Sequence, residues 1–168
     1  APDLVALLAT RVREDNQRGS NAASTLWVLA ERLPQDKLPL YFTQHQVTAL
    51  IAQIHVAGYR GNACIATVAW LANRMDEDQL STCITPDYVA ALLAQVGTDS
   101  ERGKRCSFLL WILAERLPVD LLTAYFTPGT IVPLIAQAGA NDARGTDCGA
   151  IICTLAERLS LHQLLVSF

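Results

Sequence analysis

The segment LAERLP, from Leu29 to Pro34, reveals the architecture of this chain because it returns at a constant interval. The same six residues stand at 113–118, and the related runs LANRMD and LAERLS begin at Leu71 and Leu155. Each step is 42 residues, without insertion or deletion, and four steps account for all 168 residues. The chain is therefore a tandem repeat of four copies, 1–42, 43–84, 85–126 and 127–168. One copy of such a repeat cannot bury its apolar face alone.

The composition narrows the classes of function. The chain is 51% hydrophobic and 17% charged, so it can bury a substantial core. Its formal net charge of −3 argues against nucleic acid as a partner, since nucleic acid favours a basic face. No apolar run approaches the ~18 residues of a membrane span, and no basic region precedes an apolar stretch as in a signal peptide. We therefore expect no membrane partner.

The third copy shows how the unit begins. Thr85, Pro86 and Asp87 are typical of a helix start, with a hydroxyl cap, a proline in the first turn and an acid near the positive end of the helix dipole. Residues 88–96 then carry apolar side chains at helical spacing, and Gly97 predicts the end of the helix. The polar stretch 97–103 predicts a loop.

A second, longer helix is predicted over residues 104–117. Its apolar positions follow the spacing i, i+4, i+7, i+8 and i+11, which forms one buried stripe: Cys106, Leu110, Leu113, Ala114 and Leu117. Pro118 ends this helix, because proline disfavours helical backbone angles at the residue before it. The same proline can begin a short third helix over residues 119–126. The sequence thus predicts an all-α unit of three helices.

Three helices in 42 residues resemble the armadillo repeat. The segments TLWVLAERL (25–33) and LLWILAERL (109–117) are similar to the armadillo long helix, which often reads ALWALSNLA. The segment GTIVPLIAQ (129–137) resembles the Gly-x-Ile-Pro-x-Leu-Val start of the armadillo middle helix. HEAT repeats have a similar length with two helices. The resemblance implies a right-handed α-solenoid of four armadillo/HEAT-like repeats, forming a single domain over residues 1–168.

A second resemblance is to the 42-residue repeats of secreted effectors of plant-pathogenic bacteria. Their signature Ser-Lys-Trp-Pro aligns with Glu-Arg-Leu-Pro here and shares the proline. The fourth copy also keeps the repeat pattern to its last residue, whereas arrays normally end in atypical repeats with a polar outer face. We interpret the chain as a fragment of a longer array. Uncapped ends of this kind also predict end-to-end self-association.

The cysteines indicate core positions rather than disulfides or zinc. Cys64, Cys106 and Cys148 occupy one place in three consecutive copies. Equivalent stacked helices lie about 8–10 Å apart, whereas the Cα atoms of a disulfide lie within ~7 Å. No Cys-x-x-Cys pair occurs, so no metal or other cofactor is predicted. We expect reduced core thiols and a reducing compartment, the cytoplasm or, for a secreted effector, the host cell interior.

Two arginines and one glycine are constant in every copy, and we predict structural roles for them. The arginine that ends LAER precedes an acid by four residues in three copies, which predicts an Arg–Asp pair closing the turn. Its alternative is a ladder that binds phosphate or carboxylate. The Arg-Gly pairs are predicted to lie in turns, where the arginine binds loop carbonyls or the neighbouring copy. These structural residues are Arg32, Arg74, Arg116 and Arg158, with Gly19, Gly61, Gly103 and Gly145.

The armadillo resemblance implies a binding site on the other face of the long helix. In that family the helix lines a concave groove, where a Trp and an Asn four residues later hold an extended peptide. Trp27 and Trp111 match the Trp, but only Asn73 keeps the Asn. Aromatic rings beside carboxylates suit Arg or Lys side chains of a partner, and Phe108 would extend the aromatic strip. Burial of both tryptophans between copies is the alternative. The predicted partner-binding residues are Trp27, Glu31, Asn73, Phe108, Trp111, Glu115 and Glu157.

No catalytic pattern is visible, so we do not predict an enzyme. His45, His55 and His162 occupy three unrelated places in the unit, and no Gly-rich phosphate loop occurs. The main functional hypothesis is a scaffold that binds another protein or peptide on its concave face, with a basic partner as one form of this hypothesis. One alternative is a nucleic-acid binder that uses the arginine ladders on phosphates. Another is a non-catalytic repeat segment of a larger effector or enzyme.

Overall fold

The computed structural model describes residues 2–98 and 101–160, and every regular element in those ranges is a helix. In each of the first three copies a helix of intermediate length is followed by a 16-residue helix and then a short one. This confirms the predicted all-α repeat architecture. The helices are α1 (Pro2–Arg11), α2 (Gln17–Arg32), a 3-10 turn (Gln35–Lys37), α3 (Leu38–Tyr41), α4 (Gln44–Ile51), α5 (Tyr59–Arg74), α6 (Glu77–Cys83), α7 (Pro86–Val96), α8 (Glu101–Arg116), α9 (Val119–Tyr125), α10 (Pro128–Ala138) and α11 (Ala143–Arg158).

The helix starts follow the capping pattern read from the sequence. The Thr85 side chain accepts a hydrogen bond from the Tyr88 backbone N–H, as an N-cap does. In α4, Thr43 and Gln46 form a capping box. The third copy differs from prediction at one place, because α8 begins at Glu101 rather than at residue 104. The Arg-Gly pair therefore lies in the first turn of the long helix and not in a loop before it.

The long helix ends at the same position whether or not proline follows. Leu33, Met75 and Leu159 are its C-caps in copies one, two and four, and all three have extended backbone angles with ψ between 140° and 155°. Proline follows only the first of these, since residue 76 is Asp and residue 160 is Ser. The end of the long helix therefore does not require the proline that the sequence predicts as its stop signal. Where proline is present, it reinforces that end.

The chain forms two compact units of two copies each, Ala1–Cys83 and Ile84–Phe168. Their boundary lies within one residue of the predicted boundary between the second and third copies. In the first unit α2 packs along α5 and α1 packs on α4, and in the second α8 packs along α11 and α7 on α10. Equivalent helices therefore stack within each unit. The single continuous domain over 1–168 stays a prediction.

The predicted stripe of the long helix is the core of each unit. All five of its members in the third copy are fully buried, including Cys106 and Leu117. Cys64 and Cys148 are buried at the same place, and the five cysteines carry free thiols. Desolvation by burial raises the pKa of Cys64 and Cys106 to about 12, against the opposing attraction of Arg60 and Arg102. Cys153 is exposed, so the prediction of core thiols is wrong for that residue.

The constant glycine allows a loop carbonyl to approach the first turn of the long helix. A Cβ added at Gly19 would overlap the backbone oxygen of Glu14, five residues earlier. The same overlap recurs at the other three glycines with the oxygens of Val56, Thr98 and Ala140. Only glycine lets the loop pass this close to the helix.

The arginine beside that glycine binds the same carbonyl of the preceding copy. Arg60 is buried; its Nη1 donates to the Glu14 oxygen, and its Nη2 lies 3.1 Å from a carboxylate oxygen of Asp15. In the second unit Arg144 Nη1 donates to the Thr98 oxygen at 3.1 Å. One backbone oxygen is therefore packed against a glycine of its own copy and bound by an arginine of the next.

The arginine that ends LAER also reaches back to the preceding copy. Arg74 donates to the oxygens of Ala30 at 2.7 Å and of Leu33 at 2.6 Å, where α2 ends. Arg158 donates likewise to the Ala114 oxygen, at the end of α8, at 2.6 Å. The last carbonyls of a helix lack partners within it, so a guanidinium is a favourable cap there. This differs from the predicted pairing of Arg74 with Asp78, because both Nη atoms of Arg74 donate to carbonyls of the preceding copy.

Within the described residues, no single helix is long and apolar enough to cross a membrane. The helices α9 and α10 meet that length and composition only when joined, and they are bent by 83° at the break between them. The same ranges contain no group of three or more His, Cys, Asp or Glu side chains placed to hold a metal ion.

Candidate functional site

The first unit presents a mixed apolar and polar surface along its two long helices. On α2, Val28 and Glu31 are exposed at i and i+3, so they share one side of the helix. Their counterparts on α5, 42 residues later, are Trp70 and Asn73, which are exposed as well. Because α2 and α5 pack along each other, these side chains belong to one face of the unit.

The exposed tryptophan of this face is Trp70 and not the predicted Trp27. Trp27 is half-buried, and its indole N–H is buried without a hydrogen-bond partner among the described residues. The counterpart of Trp27 on α5 is Ala69, which is only 6% exposed, whereas Trp70 is 38% exposed. The family pattern therefore identifies the position one residue before the exposed ring of Trp70. The signal that could have identified Trp70 is its spacing of three residues from Asn73, which equals the spacing between Val28 and Glu31 on α2.

Tyr59 extends this face toward the start of α5. Its side chain is exposed, and its hydroxyl lies 3.2 Å from the hydroxyl of Ser24 on α2. Ser24 precedes Val28 by four residues and therefore lies on the same side of α2. A hydrogen-bonding pair thus borders the apolar part of the face, at the end opposite to Glu31 and Asn73.

In the second unit the face of α8 carries an aromatic pair. Phe108 is 45% exposed, and its ring centroid lies 5.9 Å from that of the half-buried Trp111, with the planes tilted by 60°. This distance and tilt are favourable for aromatic rings. Glu115 follows Trp111 by four residues and is exposed. The helix therefore presents Phe108, Trp111 and Glu115 on one side.

The neighbouring helix α11 adds acidic groups to the second unit's face. Glu157 is the exposed counterpart of Glu115, and the exposed Cys153 stands at the place of Trp111. Asp147 lies nearer the start of α11, where its carboxylate accepts a hydrogen bond from the buried Ser107 hydroxyl of α8 at 3.0 Å. Desolvation raises the pKa of Asp147, and the Ser107 hydrogen bond partly opposes this. The face therefore combines exposed aromatic surface with carboxylates.

The predicted binding residues thus fall into two groups, one in each unit. Trp27, Glu31 and Asn73 lie on α2 and α5, and the remaining four lie on α8 and α11. All of them except the two half-buried tryptophans are exposed. The assignment of these seven residues to a binding site stays a prediction. The histidines, for which no site is predicted, include the exposed His45 and His55, and His162 lies outside the described residues.

The predicted phosphate ladder requires the constant arginines on one open surface. Arg60, Arg74, Arg144 and Arg158 instead direct their guanidinium groups at backbone carbonyls of the preceding copy. Of the described arginines at these constant positions, Arg18 and Arg32 in the first copy are the exposed ones. The arrangement gives no support to a nucleic-acid interface built on arginine ladders.

Two solved structures share this arrangement of helices. The chain superposes on an engineered protein from the Northeast Structural Genomics Consortium with a TM-score of 0.77 and 17% sequence identity, covering 90% of this chain and 62% of that one. It superposes on a designed armadillo repeat protein with a TM-score of 0.71 and 16% identity, covering 98% of this chain and 72% of that one. The chain has an armadillo-like helical-repeat fold. No family model and no curated protein matches the sequence.

Proposed function

We propose that this protein is an interaction scaffold that binds a partner polypeptide on the exposed face of its long helices, with basic side chains of the partner as the main contacts. In armadillo solenoids this is the concave face. The observation that carries the proposal is the group on α8, where the exposed Phe108 packs against Trp111 and Glu115 follows on the same side.

The chemistry of this group favours a cation with an apolar stem. An Arg or Lys side chain can lie over an aromatic ring, a contact that contributes about 0.5–1 kcal/mol at an exposed site. Its charged end can then reach a carboxylate, and on the second unit's face both Glu115 and Glu157 are exposed for this purpose. An aromatic side chain of the core is buried, whereas Phe108 is exposed. An exposed aromatic side chain flanked by charges is typical of an interaction site.

The first unit offers a related but less acidic surface. Trp70 and Val28 provide exposed apolar area, and Asn73 can donate to and accept from a peptide backbone. Glu31 supplies the carboxylate. We propose that this face binds the same class of partner, with Trp70 in the role that the family pattern assigned to Trp27.

The proposal is tested by binding of basic peptides to matched variants. The double variant Phe108→Ala/Glu115→Gln removes an exposed ring and one carboxylate from the face. Val119→Ala/Asp120→Asn removes an exposed apolar side chain and one carboxylate from α9, so it is the control. We expect at least a tenfold loss of affinity for the first variant and no loss for the second, measured by titration calorimetry with an arginine-containing peptide library.

Equal affinities for both variants would contradict the site assignment. Binding of single-stranded RNA with a steep salt dependence, unchanged by Phe108→Ala/Glu115→Gln, would instead favour the nucleic-acid alternative. We also propose a reducing compartment as the location, supported by the four buried free thiols. We propose that the role is one of binding rather than catalysis.

A further inference from the structure

Two adjoining cavities lie in the first unit, beside the short helices that end its two copies. Their volumes are about 290 Å³ and about 400 Å³. Both are lined by Pro39 of α3 and Gln79 of α6, so they form one groove, which we call the α3–α6 groove. None of the described residues that line it belongs to the exposed face of α2 and α5. The groove is therefore a separate surface from the candidate site.

Pro39 makes the short helix of the first copy irregular. Its counterparts Ser81 and Thr123 lie inside the continuous seven-residue helices α6 and α9, whereas the first copy has a 3-10 turn followed by the four-residue α3. Proline has no backbone N–H and cannot donate to the carbonyl four residues earlier. The Gln35 carbonyl accepts instead from the Leu38 N–H, as in a 3-10 helix. The groove lies beside this break, with Pro39 in both cavities.

The first cavity has an apolar floor. Phe42, Met75 and Cys83 line it, and they are only 1%, 3% and 7% exposed. At the side of the cavity, Gln44 Nε2 donates to the Thr82 carbonyl oxygen at 3.1 Å and so connects the start of α4 to α6. The packing of the buried floor and this hydrogen bond define the shape of the cavity.

Carboxylates surround the floor. Asp78 lines the first cavity and is exposed, and among residues 2–98 and 101–160 its carboxylate has no ion pair or hydrogen bond. Asp36 and Asp76 line the second cavity together with Arg74, whose Nη atoms donate to backbone carbonyls. Asp36 also pairs with the exposed Lys37 at 3.4 Å. The groove thus combines an apolar floor with three carboxylates against one guanidinium in its lining.

We propose that the α3–α6 groove binds a segment of a partner polypeptide in which an apolar side chain and a basic side chain stand two residues apart. The apolar side chain enters the first cavity and is removed from water there. The Arg or Lys side chain reaches Asp78 or the carboxylates of the second cavity, because the charges are complementary. Side chains two residues apart point to the same side of an extended chain.

The size and form of the groove favour this occupant. A cavity of ~150 Å³ accommodates benzene, so the first cavity has room for a leucine side chain or a single aromatic ring. Two connected volumes of different polarity suit two side chains of one chain better than one compact ligand. The wall between them, formed by Pro39 and Gln79, then lies under the residue that separates the two side chains.

The experiment is an NMR titration of the ¹⁵N-labelled protein with the peptide acetyl-Lys-Ser-Leu-Ser-Lys-amide, which carries the basic side chain on both sides of the apolar one. We expect saturable shifts of the backbone signals of groove residues, including Gln79 and Thr82. Replacing both lysines of the peptide with glutamine, or its leucine with alanine, should weaken binding at least fivefold. Each replacement removes one of the two proposed contacts.

Two variants of the protein test the groove itself. Asp78→Lys reverses the charge beside the apolar floor, and Gln79→Trp fills the space that both cavities share. Glu77→Lys is the matched control, because Glu77 also lies in the first turn of α6 and is exposed but does not line the groove. We expect at least a tenfold loss of affinity for Asp78→Lys and for Gln79→Trp, and less than a twofold loss for Glu77→Lys.

Circular dichroism checks that the variants are folded. If Gln79→Trp does not fold, Asp78→Lys and Glu77→Lys decide the outcome between them. Unchanged affinity in Asp78→Lys, or an equal loss in Glu77→Lys, would overturn the proposal. So would the lack of saturable shifts in the wild type. Equally tight binding of butylammonium alone would assign the groove to a free amine and overturn it too.

The position of the shifts separates this proposal from the proposed function. Shifts confined to the face of the long helices, around Trp70 and Phe108, would support that function and overturn this inference. Conversely, Phe108→Ala/Glu115→Gln should leave the affinity measured at the groove unchanged, because neither residue lines it. A loss of that affinity in this variant would show that the peptide binds the long helices instead.

Discussion

Arg74 donates a hydrogen bond to the Ala30 carbonyl oxygen at 2.7 Å and so connects the end of α5 to the end of α2, the long helix of the preceding copy. The same guanidinium also reaches the oxygens of Glu31 and Leu33. An arginine can serve several carbonyls at once because its donors point in fixed directions from a planar group. This contact gives a physical reason for the constant last residue of the LAER motif.

Removing Arg74 should cost far more stability than removing Arg32. Hydrogen bonds to a charged group contribute about 1.5–3 kcal/mol, so we expect Arg74→Ala to lower the free energy of unfolding by about 2 kcal/mol. Arg32 is exposed, so Arg32→Ala should change it by less than about 0.5 kcal/mol. Urea denaturation of both variants measures the difference. Similar effects of the two substitutions would show that the carbonyl contacts do not stabilise the fold.

Two glycines of α11 should respond to alanine with opposite signs. A Cβ at Gly145 would overlap the Ala140 oxygen, whereas one at Gly149 would meet no atom within 4 Å. We expect Gly145→Ala to destabilise by about 2 kcal/mol or more, as overpacking does. Gly149→Ala should stabilise by about 0.5–1 kcal/mol, since glycine is unfavourable inside a helix. Thermal unfolding of the pair checks this, and a loss of stability at both positions would contradict the steric explanation.

The two tryptophans of the first unit should separate binding from stability. Trp70 is exposed, so Trp70→Ala should weaken peptide binding severalfold and leave the free energy of unfolding within about 0.5 kcal/mol. Trp27 is half-buried, so Trp27→Ala should cost about 2 kcal/mol of stability. Its indole N–H has no partner, and Trp27→Phe should therefore cost less than Trp27→Ala. The reverse pattern would return the binding role to Trp27.

One thiol in five should react in the native protein. The thiolate is the reactive form, and burial raises the pKa of Cys64 and Cys106 to about 12, so neither ionises near pH 8. Cys83 and Cys148 are also buried, whereas Cys153 is exposed. A disulfide reagent at pH 8 should label one thiol rapidly and the other four only after urea is added. Cys153→Ser should abolish the rapid phase, and rapid labelling that persists in this variant would show that a second thiol is accessible.

Two aspartates should give the stability opposite dependences on pH. The backbone hydrogen bond from Gly145, followed by the attraction of Arg144, lowers the pKa of Asp142 in the folded state. This carboxylate therefore adds stability above its ordinary pKa of 3.8, and the contribution is lost as the pH falls through the folded value. For Asp147 the folded pKa is raised by burial, so its unfolded form loses the proton first and stability falls as the pH rises above 3.8.

Asparagine at each position isolates the two effects. Relative to the wild type, Asp142→Asn should lose less stability when the pH is lowered from 6 to 3. Asp147→Asn should lose more over the same range, because the variant no longer gains from protonation of that carboxyl group. Chemical denaturation at a series of pH values gives both differences. Parallel profiles for the two variants would show that neither carboxyl group changes its pKa on folding.

Much of the fold could be predicted because the repeat supplies its own alignment. Thr85 and Pro86 mark a helix start by local backbone chemistry, and the stripe from Cys106 to Leu117 follows from the helical period alone. The sequence predicts the start of α8 three residues too late, because the polar stretch that ends at Gly103 favours a loop. That glycine is needed inside the helix for the approach of the Thr98 carbonyl, which is not visible in the local sequence.

The candidate site was predicted less completely. Glu31, Glu115 and Glu157 are exposed as expected for residues opposite the stripe. Trp27 and Trp70 occupy neighbouring positions of the repeat, since the counterpart of Trp27 on α5 is Ala69. Neighbouring positions differ by about 100° around a helix, and the family pattern does not determine which of the two faces solvent. Phe108 was assigned to the aromatic strip by spacing, and its contact with Trp111 agrees with that spacing.

The number of copies, their helices and the apolar stripe follow from the amino-acid sequence, because they depend on periodicity and on residues close in the chain. What the constant arginines bind depends instead on how the copies pack. Arg60 and Arg74 find their acceptors 46 and 44 residues earlier, in backbone atoms that every residue possesses. Because every residue has a backbone carbonyl, the amino-acid sequence does not show which oxygen accepts from such an arginine. The acceptor is known only once the packing of the copies is known.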